Sequence, residues 1–183
     1  VGAMTLLSRI FGLLRDITLA TVFGVSGGTD AFLIAFKIPN FMRRLFAEGA
    51  FSQAFVPVIS EYREQRSQEA VTALVNRVAG TLGGILLTLS IVGVLASPVL
   101  VTVFAPGFLY RDAAQFELAA QMLRLTFPYL LFICLVAFAG GILNTFGRFA
   151  VPAFTPVLLN LVLIGSVFFL APYFDQPVYG LAA

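Results

Sequence analysis

No histidine occurs in the 183 residues. A histidine-based metal site and Ser-His-Asp or Cys-His catalysis are therefore excluded within this chain. Cysteine is nearly absent too. The single Cys134 has no internal disulfide partner, and its place inside an apolar run suits a packed thiol facing lipid or a neighbouring helix. Charge is equally scarce: 11% of residues are charged, and 11 basic against 9 acidic residues leave a net +2. An average soluble domain is about 25% charged. So small a positive balance, with no basic run interleaved with exposed aromatics, gives no reason to expect a nucleic-acid partner. Neither a phosphate-loop nor a dinucleotide fingerprint is present, no strong repeat stands out, and no stretch is polar enough for a separate soluble domain.

What the chain has instead is hydrocarbon. It is 60% hydrophobic, with a mean hydropathy of +0.98, against about 45–50% apolar residues in soluble domains. One soluble core of this size could not hide that much apolar surface. The composition predicts an all-α transmembrane protein, a polytopic helical bundle. A span needs about 20 mostly apolar residues. Segments 79–104, 125–143 and 149–170 meet this without a charged residue, the last with Pro152 and Pro156 near its start. Segments 6–25 and 30–59 qualify only with charges inside them, and Pro39 and Gly49 predict a kinked or broken second segment. A sixth span is expected to open at 177. Short polar links are expected at 25–29, 61–69, 105–114, 144–148 and 171–177. Arg63, Arg66, Arg77 and Arg148 fall on one side of this topology and Arg111 on the other, which predicts a cytoplasmic N-terminus. The first apolar stretch carries charge and follows no basic region, unlike a cleavable signal peptide. The start at Val1 and the short apolar end at 178–183 read as a piece of a longer protein.

The charges in the first two segments need a reason. An Arg or Asp at the bilayer centre costs about 2.5–3.5 kcal/mol on insertion scales, and Arg9, Arg15, Asp16, Lys37, Arg43, Arg44 and Glu48 cannot all face lipid. At about 100° per residue, Arg9 and Asp16 nearly share a face, as do Asp30, Lys37, Arg44 and Glu48. Arg44 and Glu48 form an i,i+4 pair, and Arg43 points elsewhere unless a kink at Pro39 changes the phase. Such stripes predict a water-filled cavity, cationic on balance and suited to an anion, for which arginine offers a fixed fork that never deprotonates. Snorkelling at helix ends, or arginines that merely pair helices together, are the plainer alternatives. Asn144 and Asn160 fit polar glue or cavity lining equally well. The glycine pairs Gly83-Gly84 and Gly140-Gly141 suit close helix packing.

Read as words, these stretches become specific. SRIFGLLRD at 8–16 and TDAFLIAFKIPNFMRRLFAEGAFSQAFVP at 29–57 closely resemble the MurJ (MviN) family of lipid II flippases, in the MOP exporter superfamily. APGF at 105–108, TFPY at 126–129, GILNTFGRFAVPAFTPVLLN at 141–160 and APYF at 171–174 continue the resemblance. It implies a bacterial cytoplasmic (inner) membrane protein of about fourteen helices in two bundles, of which this chain is part of the N-terminal one, working by alternating access. The implied substrate is the undecaprenyl-pyrophosphate-linked peptidoglycan precursor, moved from the inner to the outer leaflet. No cofactor is implied, and transport would be driven by an ion gradient or the membrane potential. Lipid II, membrane lipids and the missing C-terminal half are the implied partners. By motif position, Arg9, Arg15, Asp16 and Arg43 are the implied substrate-binding residues. Asp30, Arg44 and Glu48 are implied in gating or lining the cavity, and a further cavity arginine would belong to the absent half. Two other functions compete with this one: a related exporter of other polyprenyl-linked sugars or drugs, and a membrane enzyme acting on polyprenyl phosphates. Drug exporters of that superfamily favour acidic cavities, and the enzyme would want a histidine or an acidic metal motif.

Overall fold

The structure, a computed structural model, describes residues 2–24, 27–44, 50–111 and 113–174. Among them there is no strand. The helices are α1 (Gly2–Phe23), α2 (Gly27–Arg43), α3 (Ala50–Gln65), α4 (Gln68–Leu95), α5 (Ser97–Phe104), α6 (Pro106–Arg111), α7 (Ala113–Thr126), α8 (Tyr129–Thr145) and α9 (Ala150–Phe169), followed by a 3-10 turn at Ala171–Tyr173. Three helical stretches are long and apolar enough to cross a membrane: Gln68–Leu95, Ala113–Thr145 and Ala150–Tyr173. At about 1.5 Å per residue, α4 alone is about 42 Å long, more than the roughly 30 Å hydrocarbon core. The protein is an all-helical, multi-pass membrane protein.

Several helices end where proline chemistry requires it. The expected continuous 79–104 segment is two helices, because Pro98 begins a new one at its first turn. A single residue, Ala96, separates them, its N–H still bonded to the Val92 carbonyl at 2.8 Å. The 125–143 segment joins a helix that begins far earlier, at Ala113, and Pro128 divides the two halves. In the expected 30–59 segment, α2 runs through Pro39 to Arg43 and α3 starts at Ala50. Residues 45–49, which include Glu48 and Gly49, lie outside the described residues, as does the span expected to open at 177.

Two expected links are helical instead. The charged stretch 61–69 continues α3 to Gln65, leaving only Arg66 and Ser67 between helices. Tethering explains the extension. Arg63 sits 4.9 Å over the Phe146 ring and donates to the Thr145 carbonyl, pinning the end of α3 to the turn after α8. The expected loop at 105–114 contains α6. By contrast, 144–148 does end a helix. Arg148 N–H reaches the Leu143 carbonyl at 2.8 Å and Gly147 N–H the Asn144 carbonyl at 3.0 Å, the bonding pattern of a Schellman cap. Gly147 has φ +74°, a value that favours glycine.

The core lies where α2, α4, α7 and α8 meet, around the fully buried Ile38, Leu86, Met122, Leu123 and Leu130. Cys134 is buried there too. The closest approach is at Gly93 of α4, where a Cβ would fall 2.0 Å from the Phe127 ring. Helix α2 packs chiefly along α7, and α1 chiefly along α9. Because α9 and α2 each touch α8, the pair α1–α9 and the pair α2–α7 flank α8 and leave a space between them.

A candidate anion-binding cavity between α1, α2, α8 and α9

Two adjoining hollows occupy that space. One, of about 300 Å³, is lined by Arg15, Phe36, Asn40, Arg43, Tyr129 and Thr155 among others. The other, of about 390 Å³, runs from Arg43 along α8 and α9 to Asn144. They share Arg43, Ile133, Thr155 and Pro156. Two arginines from different helices therefore line one continuous space whose walls are otherwise mostly apolar.

Each arginine is held by a neutral amide. Arg15 donates from Nη1 to Asn160 Oδ1 at 3.0 Å, and from Nε and Nη2 to Asp16 Oδ1 at 2.9 and 2.7 Å. These bonds take three of the five guanidinium N–H groups, leaving two for a ligand. Asn160 is 5% exposed and in turn donates from Nδ2 to the Ser8 carbonyl at 3.3 Å. Gly12 of α1 lies against Asn160 at this point. Asn160 thus joins α1 to α9 and aims Arg15 with the same side chain. Arg43 donates from Nε to Asn40 Oδ1 at 2.9 Å, one helical turn back. The Phe36 ring is tilted against Tyr129, with centroids 5.7 Å apart.

The cavity face of α2 is Phe36, Asn40 and Arg43, spaced i, i+4, i+7. The stripe of Asp30, Lys37 and Arg44 does not line it. Asp30 instead faces, with Asp16, a separate hollow of about 300 Å³ between α1 and α2. Lys37 borders a third hollow beside Phe41 and Phe104. Neighbours decide what a face meets: α1 stands beside one end of α2, α5 beside the middle, and α8 behind. Arg9 and Arg44 are exposed and are not brought to the two arginines. Glu48 lies outside the described residues. The amides resolve too: Asn144 lines the cavity, whereas Asn160 is the buried clamp. Asn40, Tyr129 and Thr155 carried no signal of their own beyond Asn40 lying three residues before Arg43 on the same face.

The family model described as "Lipid II flippase MurJ" matches residues 19–183. A "Probable lipid II flippase MurJ" of Haemophilus influenzae is 46% identical over 98% of this chain and 36% of its own length. A "Lipid II flippase MurJ" of Burkholderia cenocepacia is 48% identical over 100% of this chain and 35% of its own length. A solved structure titled "Lipid II flippase MurJ, inward closed conformation" superposes with a TM-score of 0.81 at 35% identity, covering 99% of this chain and 38% of that one. The chain thus spans about a third of the length of the relatives it matches. On the family match, the identities and the shared fold, this chain belongs to the MurJ lipid II flippase family.

Proposed function

We propose that this chain is part of the N-terminal bundle of a lipid II flippase. That protein would carry the undecaprenyl-pyrophosphate-linked precursor from the inner to the outer leaflet of the bacterial cytoplasmic membrane. The observation that carries this is the pair Arg15 and Arg43 lining one hollow. Two guanidinium groups in a largely apolar, membrane-embedded space favour a doubly charged, hydrogen-bond-accepting ligand, and a pyrophosphate is one. Ionisable residues at membrane depth are costly and commonly mark a substrate pathway. Family membership supports the same assignment, since the relatives carry the name of lipid II flippases.

Arg15 and Arg43 would hold the pyrophosphate, with Asp16 setting the direction of Arg15. Arg9, Asp30, Arg44 and Glu48 would act elsewhere along the path or in gating. The protein would be a transporter rather than an enzyme and need no cofactor. It would alternate access between two bundles, the second supplied by the rest of the protein, and draw on an ion gradient or the membrane potential. The side on which Arg63, Arg66, Arg77 and Arg148 fall favours an N-terminus in the cytoplasm.

The test is lipid II translocation by the full-length protein reconstituted in vesicles. Arg15→Ala and Arg43→Ala should each insert normally and translocate at least about tenfold more slowly, the loss that one charge-assisted hydrogen bond accounts for. Normal rates in both variants would sink the assignment.

A further inference from the structure

Helix α2 contains Pro39. Proline has no N–H, so the carbonyl four residues earlier, that of Ala35, loses the donor a helical carbonyl ordinarily receives. This happens where solvent is excluded, for Ala35 is 0% exposed and Pro39 fully buried. A buried carbonyl without a donor is costly. The Thr126 hydroxyl, from the last residue of α7, lies 3.1 Å from that carbonyl oxygen, and Thr126 is itself 5% exposed. Its hydroxyl has one hydrogen to give. The other oxygens in reach, Met122 at 3.0 Å and Leu123 at 3.4 Å, belong to its own helix. The Leu123 carbonyl already accepts the Phe127 N–H at 2.8 Å, and the Met122 carbonyl is the ordinary acceptor of the Thr126 N–H within α7. The carbonyl that lacks a donor by covalent structure is Ala35.

The position matters because of the residues on either side of Pro39. Up to Ile38 the helix is anchored in the core through Ala31, Phe32 and Ala35. Immediately beyond the proline come Asn40 and Arg43, two α2 side chains that face the cavity and bond each other. We propose that Thr126 is a positioning residue for Arg43. By filling the carbonyl that Pro39 leaves open, its hydroxyl fixes the direction in which α2 leaves the proline and so aims the Asn40–Arg43 arm into the cavity. The consequence for transport rests on the proposed function; the mechanical coupling of Thr126 to Pro39 does not.

The test uses the full-length protein in a cysteine-free background, with spin labels at Phe41→Cys and Leu158→Cys, both exposed positions. Thr126→Val keeps the shape and removes the hydroxyl. It should shift or broaden the label-to-label distance and slow lipid II translocation about tenfold. Thr126→Ser should match the parent in both. Pro39→Ala restores an N–H for Ala35, so adding Thr126→Val to it should change neither readout further. An equal effect of Thr126→Val in both backgrounds, or none in either, overturns the proposal. If Thr126→Val fails to fold, recovery in the Pro39→Ala background supports it and failure there too overturns it. A parent that moves no lipid II but still shows coupled distances refutes the proposed function alone. A parent that translocates with uncoupled distances refutes the positioning role alone.

Discussion

Replacing Asn160 by alanine removes the side chain that joins α1 to α9. Two hydrogen bonds go with it. The bond from Arg15 Nη1, 3.0 Å long, has a charged donor and would be worth about 1.5–3 kcal/mol. The Arg15 side chain is 28% exposed, so water replaces part of that bond and the low end applies. The bond to the Ser8 carbonyl, at 3.3 Å, is long and neutral and adds about 0.5–1 kcal/mol. Together they give a loss of about 2–2.5 kcal/mol. In a full-length protein about three times as long as this chain, with an unfolding entropy of about 2.1 cal/mol/K per residue, this corresponds to roughly 2 °C in Tm. Asn160→Asp separates the two bonds: it keeps an acceptor for Arg15 and strengthens its charge, but leaves the Ser8 carbonyl without its donor. Thermal unfolding of the full-length protein in detergent, read beside lipid II translocation, checks the series. Asn160→Ala should lower both, and Asn160→Asp should recover most of the Tm while translocation stays depressed, because a second carboxylate beside Asp16 cancels the positive charge the ligand needs. An Asn160→Ala protein with unchanged Tm and translocation would show that the clamp neither holds α1 nor aims Arg15.

Two further substitutions test the core and the cap of α8. Gly93→Ala would push a Cβ into the Phe127 ring, 2.0 Å away, and should destabilise the protein by about 1–3 kcal/mol in thermal or denaturant unfolding; Phe127→Leu should relieve most of it. Gly147→Ala meets no neighbour but would force alanine to φ +74°, so it should cost about 1 kcal/mol in the same unfolding measurement without changing the substrate cavity.

The helical, membrane-embedded character of the chain was legible in its sequence, because apolar runs near 20 residues with no charge have few other uses. The presence of charges needing a purpose was legible as well. Which of them meet was not. Helical phase groups Asp30 with Lys37 and Arg44. What a face lines depends on the partner beside it, and no periodicity in α2 says that α8 and α9 stand behind Arg43 while α5 stands beside Lys37. The Asn160 clamp was invisible for the same reason: it lies 145 residues from Arg15 in the chain, and an asparagine in an apolar helix has the same local signature whether it glues helices or lines a cavity. The breaks at Ala96 and Pro128 were hidden because hydropathy passes smoothly through them. Proline marks both, but it says only that a carbonyl loses its donor, not whether the helix then stops, kinks or finds a substitute such as Thr126. The helical end of α3 was masked by its charge, which suggests a loop until Phe146 and the Thr145 carbonyl are seen to hold Arg63.

Arg15 and Arg43 are proposed to grip one anion, and the rate of lipid II translocation in the single and double alanine variants of the full-length protein tests this most directly. If both arginines serve the same pyrophosphate, each single substitution should disable transport nearly as much as the pair, so the double variant falls well short of the product of the two losses. Losses that multiply independently, or two single variants that transport at the normal rate, would contradict a shared site.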